Sequence, residues 1–389
     1  MNGKPSLVYL DHAATSWPKP AGVLEAMSHT LLEEGANPGR GGHRMAVSAG
    51  KRLMRCRMVL AQLFHIANPM DIAFTLNTTM ALNMAIHGYV REGDHVVATG
   101  IEHNSVWRPL EWLKHHKGVR VTYVHTDEMG RLNLHHMKEA IQSDTRLVVC
   151  NHSSNLLGSI LPIAEISQLA HDKGAKLLVD AAQSAGLLPI DVEAMGIDMM
   201  AFPGHKGLLG PTGTGGLYVK PDVDLEPIIQ GGTGSHSEEP EQPMTRPDRY
   251  EAGTPNTVGI AGLEAGVRYV LHESVQELYN KEWALSQQLM KGLMEIPNLK
   301  VLGPVLGEPR TGIVSVQSSQ WDSAALAFEL DRQHGIAVRA GYHCTPLAHQ
   351  MAGTFGEGAV RFSVGWNTTA AHIEHAVAAM RQLCQAGMN

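Results

Sequence analysis

The chain has 389 residues, of which 43% are hydrophobic and 18% charged, with a formal net charge of −7 and four cysteines. That length exceeds what one hydrophobic core usually serves, so two lobes are expected. The acidic balance disfavours nucleic acid as a partner. No apolar run is long enough to span a membrane, and the opening Met1-Asn2-Gly3-Lys4-Pro5 lacks the apolar core of a secretion signal, which makes a reducing, cytoplasmic setting the default.

From about residue 70 to 220, helical and strand patterns alternate. Leu82, Ala85, Ile86, Tyr89 and Val90 recur at helical spacing. Short apolar runs at 95–99, 119–124, 146–150, 176–179 and 199–202 read as strands, with helical stretches such as 163–171 between most of them. This alternation predicts an α/β fold, a mainly parallel sheet covered by helices. Right-handed crossovers then place the strand C-termini on one edge, where such sheets bind ligands. Residues 221–258 carry Pro221, Pro227, Pro240, Pro243, Pro247 and Pro255 with Gly231-Gly232-Thr233-Gly234, the composition of a long functional loop. A helix beginning near Val258 leads into a second lobe with helices near 280–294, 322–334 and 369–386, the last preceded by the capping run Asn367-Thr368-Thr369. The expected division is 1–258 for the N-terminal segment and large domain, and 259–389 for a smaller α+β domain.

Three cysteines read as core. Cys56 shares a helix face with Leu53, Leu60 and Leu63. Cys150 ends the run Leu147-Val148-Val149, and Cys384 falls with Ile373, Val377 and Met380. No Cys-x-x-Cys pair exists, so neither disulfide nor zinc site is expected. The adjacent pairs His115-His116 and His135-His136 cannot share a helix face and read as solvated, so no metal site is expected. Cys344 differs, standing in the polar stretch Arg339-Ala340-Gly341-Tyr342-His343-Cys344.

Several residues suggest chemistry. Lys206, in Phe202-Pro203-Gly204-His205-Lys206-Gly207, follows an apolar strand; it is either a solvated turn lysine or an amine placed to form a Schiff base with an aldehyde cofactor. Asp180 ends Leu177-Leu178-Val179-Asp180, where its carboxylate either caps the next segment or pairs with a protonated pyridine nitrogen. Gln183, three residues on, could donate to the same ring's phenolic oxygen, though alone it carries no signal. Asn77-Thr78-Thr79 opens a helix and offers free backbone N–H groups to a phosphate, or simply caps. His103, after the strand ending at Thr99, is a loop histidine or a ring that stacks on a cofactor and relays protons. The glycine-rich 210–216 lacks the ending of a nucleotide-binding P-loop and leads into a strand.

Taken together, these segments resemble class V, fold type I pyridoxal 5′-phosphate (PLP) enzymes, specifically cysteine desulfurases and selenocysteine lyases. The resemblance runs in order along nearly the whole chain. It covers Tyr9-Leu10-Asp11-His12-Ala13-Ala14-Thr15, Asn77-Thr78-Thr79, Glu102-His103-Asn104 and Ser154-Asn155-Leu156-Leu157-Gly158. It continues through Asp180-Ala181-Ala182-Gln183, Gly204-His205-Lys206, Arg249-Tyr250-Glu251-Ala252-Gly253-Thr254-Pro255-Asn256 and the stretch ending at Cys344. It implies the PLP-dependent transferase fold, a large domain with a mainly parallel seven-stranded sheet. Lys206 would carry the cofactor and shuttle the Cα proton, His103 would stack on its ring, Asp180 would pair its nitrogen and Gln183 would reach its phenolic oxygen. Thr78, Thr79 and His205 would bind phosphate, and Thr254 would reach the phosphate of the other subunit of a homodimer. Asn155 and Arg361, with Ala14 in the N-terminal motif, would hold the substrate, L-cysteine or a related small amino acid.

Cys344 resembles the nucleophile of group II desulfurases, which sits on a short lid, here about 340–358, with Gly341, Gly353, Gly356 and Gly358 allowing it to bend. The implied activity is conversion of L-cysteine to L-alanine, with a persulfide formed on Cys344 and passed to a sulfur-acceptor protein or small thiol. The alternatives are a selenocysteine or cysteine-sulfinate lyase not needing Cys344, a class V aminotransferase or epimerase, and a non-enzymatic PLP-binding protein. The chain departs from the family pattern at Pro203, where many relatives carry a phosphate-binding serine, at His12, in place of a common asparagine, and at Tyr342, in place of a frequent histidine.

Overall fold

A computed structural model describes residues 7–38 and 41–386. In chain order the elements are β1 (Val8–Tyr9), α1 (Ala21–Glu33), α2 (Arg44–Phe64), β2 (Ile72–Thr75), α3 (Thr78–Tyr89), β3 (His95–Thr99), α4 (Asn104–Lys117), β4 (Arg120–Val124), α5 (Leu134–Ala140), β5 (Thr145–Asn151), α6 (Ile163–His171), β6 (Lys176–Asp180), β7 (Met199–Pro203) and β8 (Gly215–Val219). After a long loop follow α7 (Thr257–Glu273), α8 (Val275–Met294), β9 (Leu299–Leu302), β10 (Ile313–Ser318), α9 (Ser323–His334), β11 (Ile336–Ala337), β12 (Arg339–Gly341), α10 (Pro346–Met351), β13 (Ala359–Ser363) and α11 (Ala370–Ala386).

Seven strands form the large sheet in the order β2-β8-β7-β6-β5-β3-β4. Pairing is parallel from β7 to β4, while β8 runs antiparallel to both β7 and β2. The apolar runs are continuous because both faces of the sheet are covered. Val97, Val148, Leu177 and Val179 pack into the core on one face, and Val96, Ala98, Leu147, Val149 and Leu178 into the core on the other. This alternation fixes the register, since a one-residue slip would exchange the faces.

The strand directions put the C-terminal ends of β2, β3, β5, β6 and β7 on one edge. That edge carries in turn Asn77–Thr79, His103, Asn155, Asp180 with Gln183, and Lys206, the position at which open α/β sheets bind ligands.

The small lobe is a four-stranded antiparallel sheet, β12-β13-β10-β9, backed by α8, α9 and α11. The division expected at 258 needs correction. Helix α7 packs on α1 and α2 of the large lobe, and its Glu264 pairs with Arg52 at 3.2 Å. The chain changes lobes at Ser274, a single residue with φ of 71° between α7 and α8. The N-terminal segment also belongs with the small lobe: β1 pairs with β11, and Asp11 bridges Ser363 at the end of β13. Cys56, Cys150 and Cys384 are buried and Cys344 is exposed, as the apolar spacing requires. The paired histidines at 115–116 and 135–136 are solvent-exposed.

Candidate active site

Lys206 follows β7, and its amine lies among charged groups. Burial lowers its pKa from the usual 10.5 to about 8; Arg361 and Arg339 push the same way, while Asp180 and Asp11 oppose them. Asp180, almost fully buried at the end of β6, is raised to about 6 by loss of water, with the Ala182 N–H and Lys206 working against the shift. Asp180 therefore caps the segment after β6 and keeps one carboxylate oxygen over. One carboxylate oxygen accepts from Ala182 N at 2.8 Å, and the other accepts no hydrogen bond among the described residues. Gln183 donates through Nε2 to Ala13 O at 3.1 Å, which ties the β6 edge to the N-terminal segment and leaves a second amide hydrogen free.

At the start of α3 the Asn77 side chain accepts from Met80 N at 2.9 Å, and Ala81 N reaches Asn77 O. The N–H groups of Thr78 and Thr79 are the unspent donors of that helix end. Thr78 Oγ1 and His205 Nδ1 are buried polar atoms without a partner among the described residues. Thr79 Oγ1 bonds Ser105 Oγ at 2.7 Å, and Ser105 Oγ bonds His103 Nδ1 at 2.9 Å. This bridge couples the helix start to the loop histidine. Burial, aided by the Lys206 charge, lowers His103 to about 4 and keeps its imidazole neutral.

Orphaned donors at a helix start, a lysine amine with a depressed pKa and a buried carboxyl beside it make a donor set that fits PLP: a phosphate, an aldehyde and a pyridine nitrogen each find a complementary group. Pro203 donates nothing; it ends β7 opposite Gly215. The unpartnered Thr78 hydroxyl and His205 nitrogen are the groups that could serve a phosphate in its place.

Arg361, on β13, is 1% exposed. It donates from Nη1 to Asn155 O and from Nη2 to Asp11 Oδ1, both at 3.0 Å, while its Nε has no partner among the described residues. In the antiparallel register Arg361 stands directly opposite Arg339 on β12. Like charges facing each other across a strand pair are unfavourable, so the arrangement calls for an anion. Asp11 supplies one carboxylate. Arg339 Nη2 lies 3.5 Å from Cys344 Sγ.

The segment around Cys344 is tied to the large lobe at three points. Asn104 N donates to Cys344 O at 2.8 Å, Thr345 Oγ1 to Glu102 O at 3.0 Å, and Asn155 Nδ2 to His343 O at 2.7 Å. Cys344 thereby lines one open cleft with His103, Ser105 and Thr79. A neighbouring cavity of about 50 Å³ between the lobes is lined by Lys206, Gln183, His12, Glu282 and Ser363.

The structure thus gathers Lys206, Asp180, Gln183, His103, Thr78, Thr79, His205, Asn155, Arg361 and Cys344 around one edge. Ala14 lies in the N-terminal segment that closes over it, with its N–H on Asp11 O at 3.1 Å. Thr254 stands apart, exposed on the long loop, where its hydroxyl accepts from Asn37 Nδ2 at 3.4 Å. Sequence reasoning missed Ser105 and Asp11 as partners. It quoted Arg339 without a role, although an arginine five residues before an exposed cysteine was a usable signal.

His12, one of the three residues that depart from the family pattern, is buried with both ring nitrogens unpartnered among the described residues. Its ring fills the space beside Gly365, where an added Cβ would overlap it. Gly365→Ala should therefore lower stability by about 1–3 kcal/mol in thermal or urea unfolding, and His12→Ala in the same chain should recover most of that loss.

A fold whose ligand edge presents a lysine, a buried aspartate and a helix start for phosphate is that of a PLP-type transferase. The family model "Aminotransferase class-V" matches residues 8–375. A protein named "Probable cysteine desulfurase" from Methanothermobacter thermautotrophicus is 37% identical over 376 residues, covering 94% of this chain and 92% of that one. A cysteine desulfurase from Dickeya dadantii is 34% identical, covering 88% and 84%. The apo structure of a cysteine desulfurase from Thermococcus onnurineus superposes with a TM-score of 0.92 at 33% identity, covering 98% and 95%. The chain belongs to the class-V aminotransferase family, a family of PLP-dependent enzymes, among its cysteine desulfurase members.

Proposed function

We propose that this enzyme is a PLP-dependent cysteine desulfurase that converts L-cysteine to L-alanine and receives the sulfur on Cys344. The observation that carries the reading is the placement of Cys344 in the same cleft as His103, beside Arg339 and on a segment tied to the large lobe. Thr78, Thr79 and His205 would hold the phosphate, Asp180 the pyridine nitrogen, and Lys206 the aldehyde carbon. When bound there, PLP supplies an electron sink for the pair released from the substrate's Cα–H bond.

The protein's own groups perform the rest. The Arg361 guanidinium, with Asn155 beside it, binds the substrate carboxylate, the anion that the facing arginines call for. Lys206 Nζ takes the Cα proton, and its pKa of about 8 leaves a usable free-amine fraction near neutrality. The Cys344 sulfur attacks the substrate sulfur. An S–S bond forms, the Cβ–S bond breaks, and the electron pair left on carbon takes up a proton, giving alanine. The carbon is reduced and the transferred sulfur oxidised to the persulfide level, so no external oxidant is needed. The Asn104, Thr345 and Asn155 contacts hold the lid and supply proximity. The persulfide then passes to an acceptor protein or small thiol.

The exposed Thr254, on a loop away from its own chain's Lys206, suits a role toward a second copy and supports a homodimer in which it reaches the partner's phosphate site. The test of the whole reading is intact-mass analysis after mixing with L-cysteine. A sulfur-sized adduct mapped to Cys344 with stoichiometric alanine supports it, and alanine release without any adduct sinks the persulfide step. Arg361→Lys should raise KM for cysteine by about tenfold while kcat changes little, because an ammonium cannot reproduce the planar fork. Steady-state kinetics would show this.

A further inference from the structure

Cys344 is held in an unusual backbone conformation. His343 has φ of 52° and Cys344 of 58°, two successive non-glycine residues in the left-handed region. Such residues stay there only when their surroundings hold them. Beneath the thiol lies a line of buried polar side chains away from the cleft. His343 Nε2 meets Arg339 O at 3.2 Å, His343 Nδ1 meets His349 Nε2 at 3.5 Å, and His349 Nδ1 meets Thr354 Oγ1 at 2.7 Å. His349 and Thr354 have no solvent exposure and His343 has 2%. The two imidazole planes differ by 9° with ring centres 5.7 Å apart. That spacing is too wide for a face-to-face stack and suits coplanar rings meeting end to end, as an N–H···N bond requires.

The protons on this line follow from the acceptor at its end and from the burial of both rings. Arg339 O can only accept, so His343 Nε2 carries a hydrogen. Burial keeps both rings neutral, with His343 pushed down to about 2 and His349 to about 4. A neutral His343 then accepts at Nδ1, so His349 donates from Nε2 and accepts at Nδ1, and the Thr354 hydroxyl donates to it. Every member has one role, and the line ends on the backbone of Arg339, whose guanidinium lies 3.5 Å from Cys344 Sγ.

We propose that His349 is a positioning residue for the Cys344 thiol, acting through this one-directional chain from Thr354 to Arg339. It rests on the reading of Cys344 as the sulfur acceptor. With the chain cut at His349, His343 Nδ1 becomes a buried acceptor without a donor. The 343–344 backbone then relaxes out of the left-handed region, and the thiol leaves Arg339.

The test uses the holoenzyme and two readouts, cysteine turnover and the rate of iodoacetamide alkylation at Cys344 by intact mass. His349→Phe keeps a flat aromatic ring, though a larger one, but removes the donor; it lowers kcat by about 10- to 100-fold with KM nearly unchanged, and slows alkylation by about tenfold. His349→Gln, whose amide can donate to His343, restores both rates to within about threefold. Thr354→Val repeats the loss in weaker form, and Thr354→Ser does not; this pair carries the test if His349→Phe fails to fold. Equal losses in the Phe and Gln variants, or unchanged alkylation in a folded His349→Phe or Thr354→Val protein, overturn the proposal. Alkylation needs no substrate, so it reports on positioning even if Cys344→Ala were to show that the thiol takes no sulfur.

Discussion

Lys206→Ala should abolish alanine formation from L-cysteine, a loss of at least about 10³-fold, because in the proposed reaction one amine both holds the cofactor and moves the Cα proton. The wild type should carry a covalent yellow adduct that survives gel filtration, and the purified variant should lose it. Lys206→Arg should do no better, since a guanidinium stays protonated and cannot take a proton. The pH dependence follows from the depressed pKa. Only the free amine captures an aldehyde, so the rate at which cofactor-free protein binds PLP should rise about tenfold per pH unit below about 8 and level off above it. Stopped-flow absorbance would show this, and a plateau reached only above pH 10 would mean that the lysine is solvated. The same shift affects stability. Between about 8 and the ordinary 10.5 the unfolded chain keeps a proton that the folded chain has released. The lysine's contribution to stability in the cofactor-free protein therefore rises with pH across that window, a gain absent from Lys206→Ala.

The large lobe was legible in the sequence because its central strands are buried on both faces. Runs such as Leu177-Leu178-Val179 need no alternation to be read, and the aspartate that breaks this one marks the strand's functional end. The motif positions at 77–79, 103, 155, 180–183 and 206 were legible for the same reason: each lies at or just after a strand end, and parallel topology carries such positions to one edge. What stayed hidden depends on pairing between distant segments. Strands β12 and β13 look weak alone, and only their register puts Arg361 opposite Arg339. The lobe boundary was misplaced because α7 and α8 are separated by Ser274 alone, so helical spacing runs almost unbroken through the change of lobe. Ser105 escaped notice because a serine after a histidine carries no signal. Its role arises from α3 and α4 packing side by side, which brings Thr79 within 2.7 Å. The His343–His349 contact is similarly silent, spanning a turn whose left-handed residues no spacing rule foresees.

Cys344→Ala should reduce turnover of L-cysteine by about 10²- to 10⁴-fold while leaving cofactor binding and the KM for cysteine almost unchanged. Among the described residues the thiol's hydrogen-bond partner is Arg339, and none of the groups assigned to the phosphate, the ring nitrogen or the substrate carboxylate bonds it. Truncation therefore removes the sulfur's destination and leaves the binding site standing. Proton removal at Cα by Lys206 should persist, so the variant should still exchange the substrate's Cα hydrogen with deuterated solvent, visible by NMR as loss of the Cα signal without alanine. This combination separates the desulfurase reading from its rivals. A lyase acting on a selenol or sulfinate needs no thiol acceptor, because those groups leave carbon more readily. The variant would then keep nearly full rates on selenocysteine or cysteine sulfinate while failing on cysteine. Full rates on all three substrates would remove Cys344 from the chemistry and leave its guarded geometry without a function. A further contrast comes from Arg339→Gln, which keeps the thiol but removes its cationic neighbour. Its turnover should fall by about tenfold, less than in Cys344→Ala, and its persulfide should form more slowly but still map to Cys344.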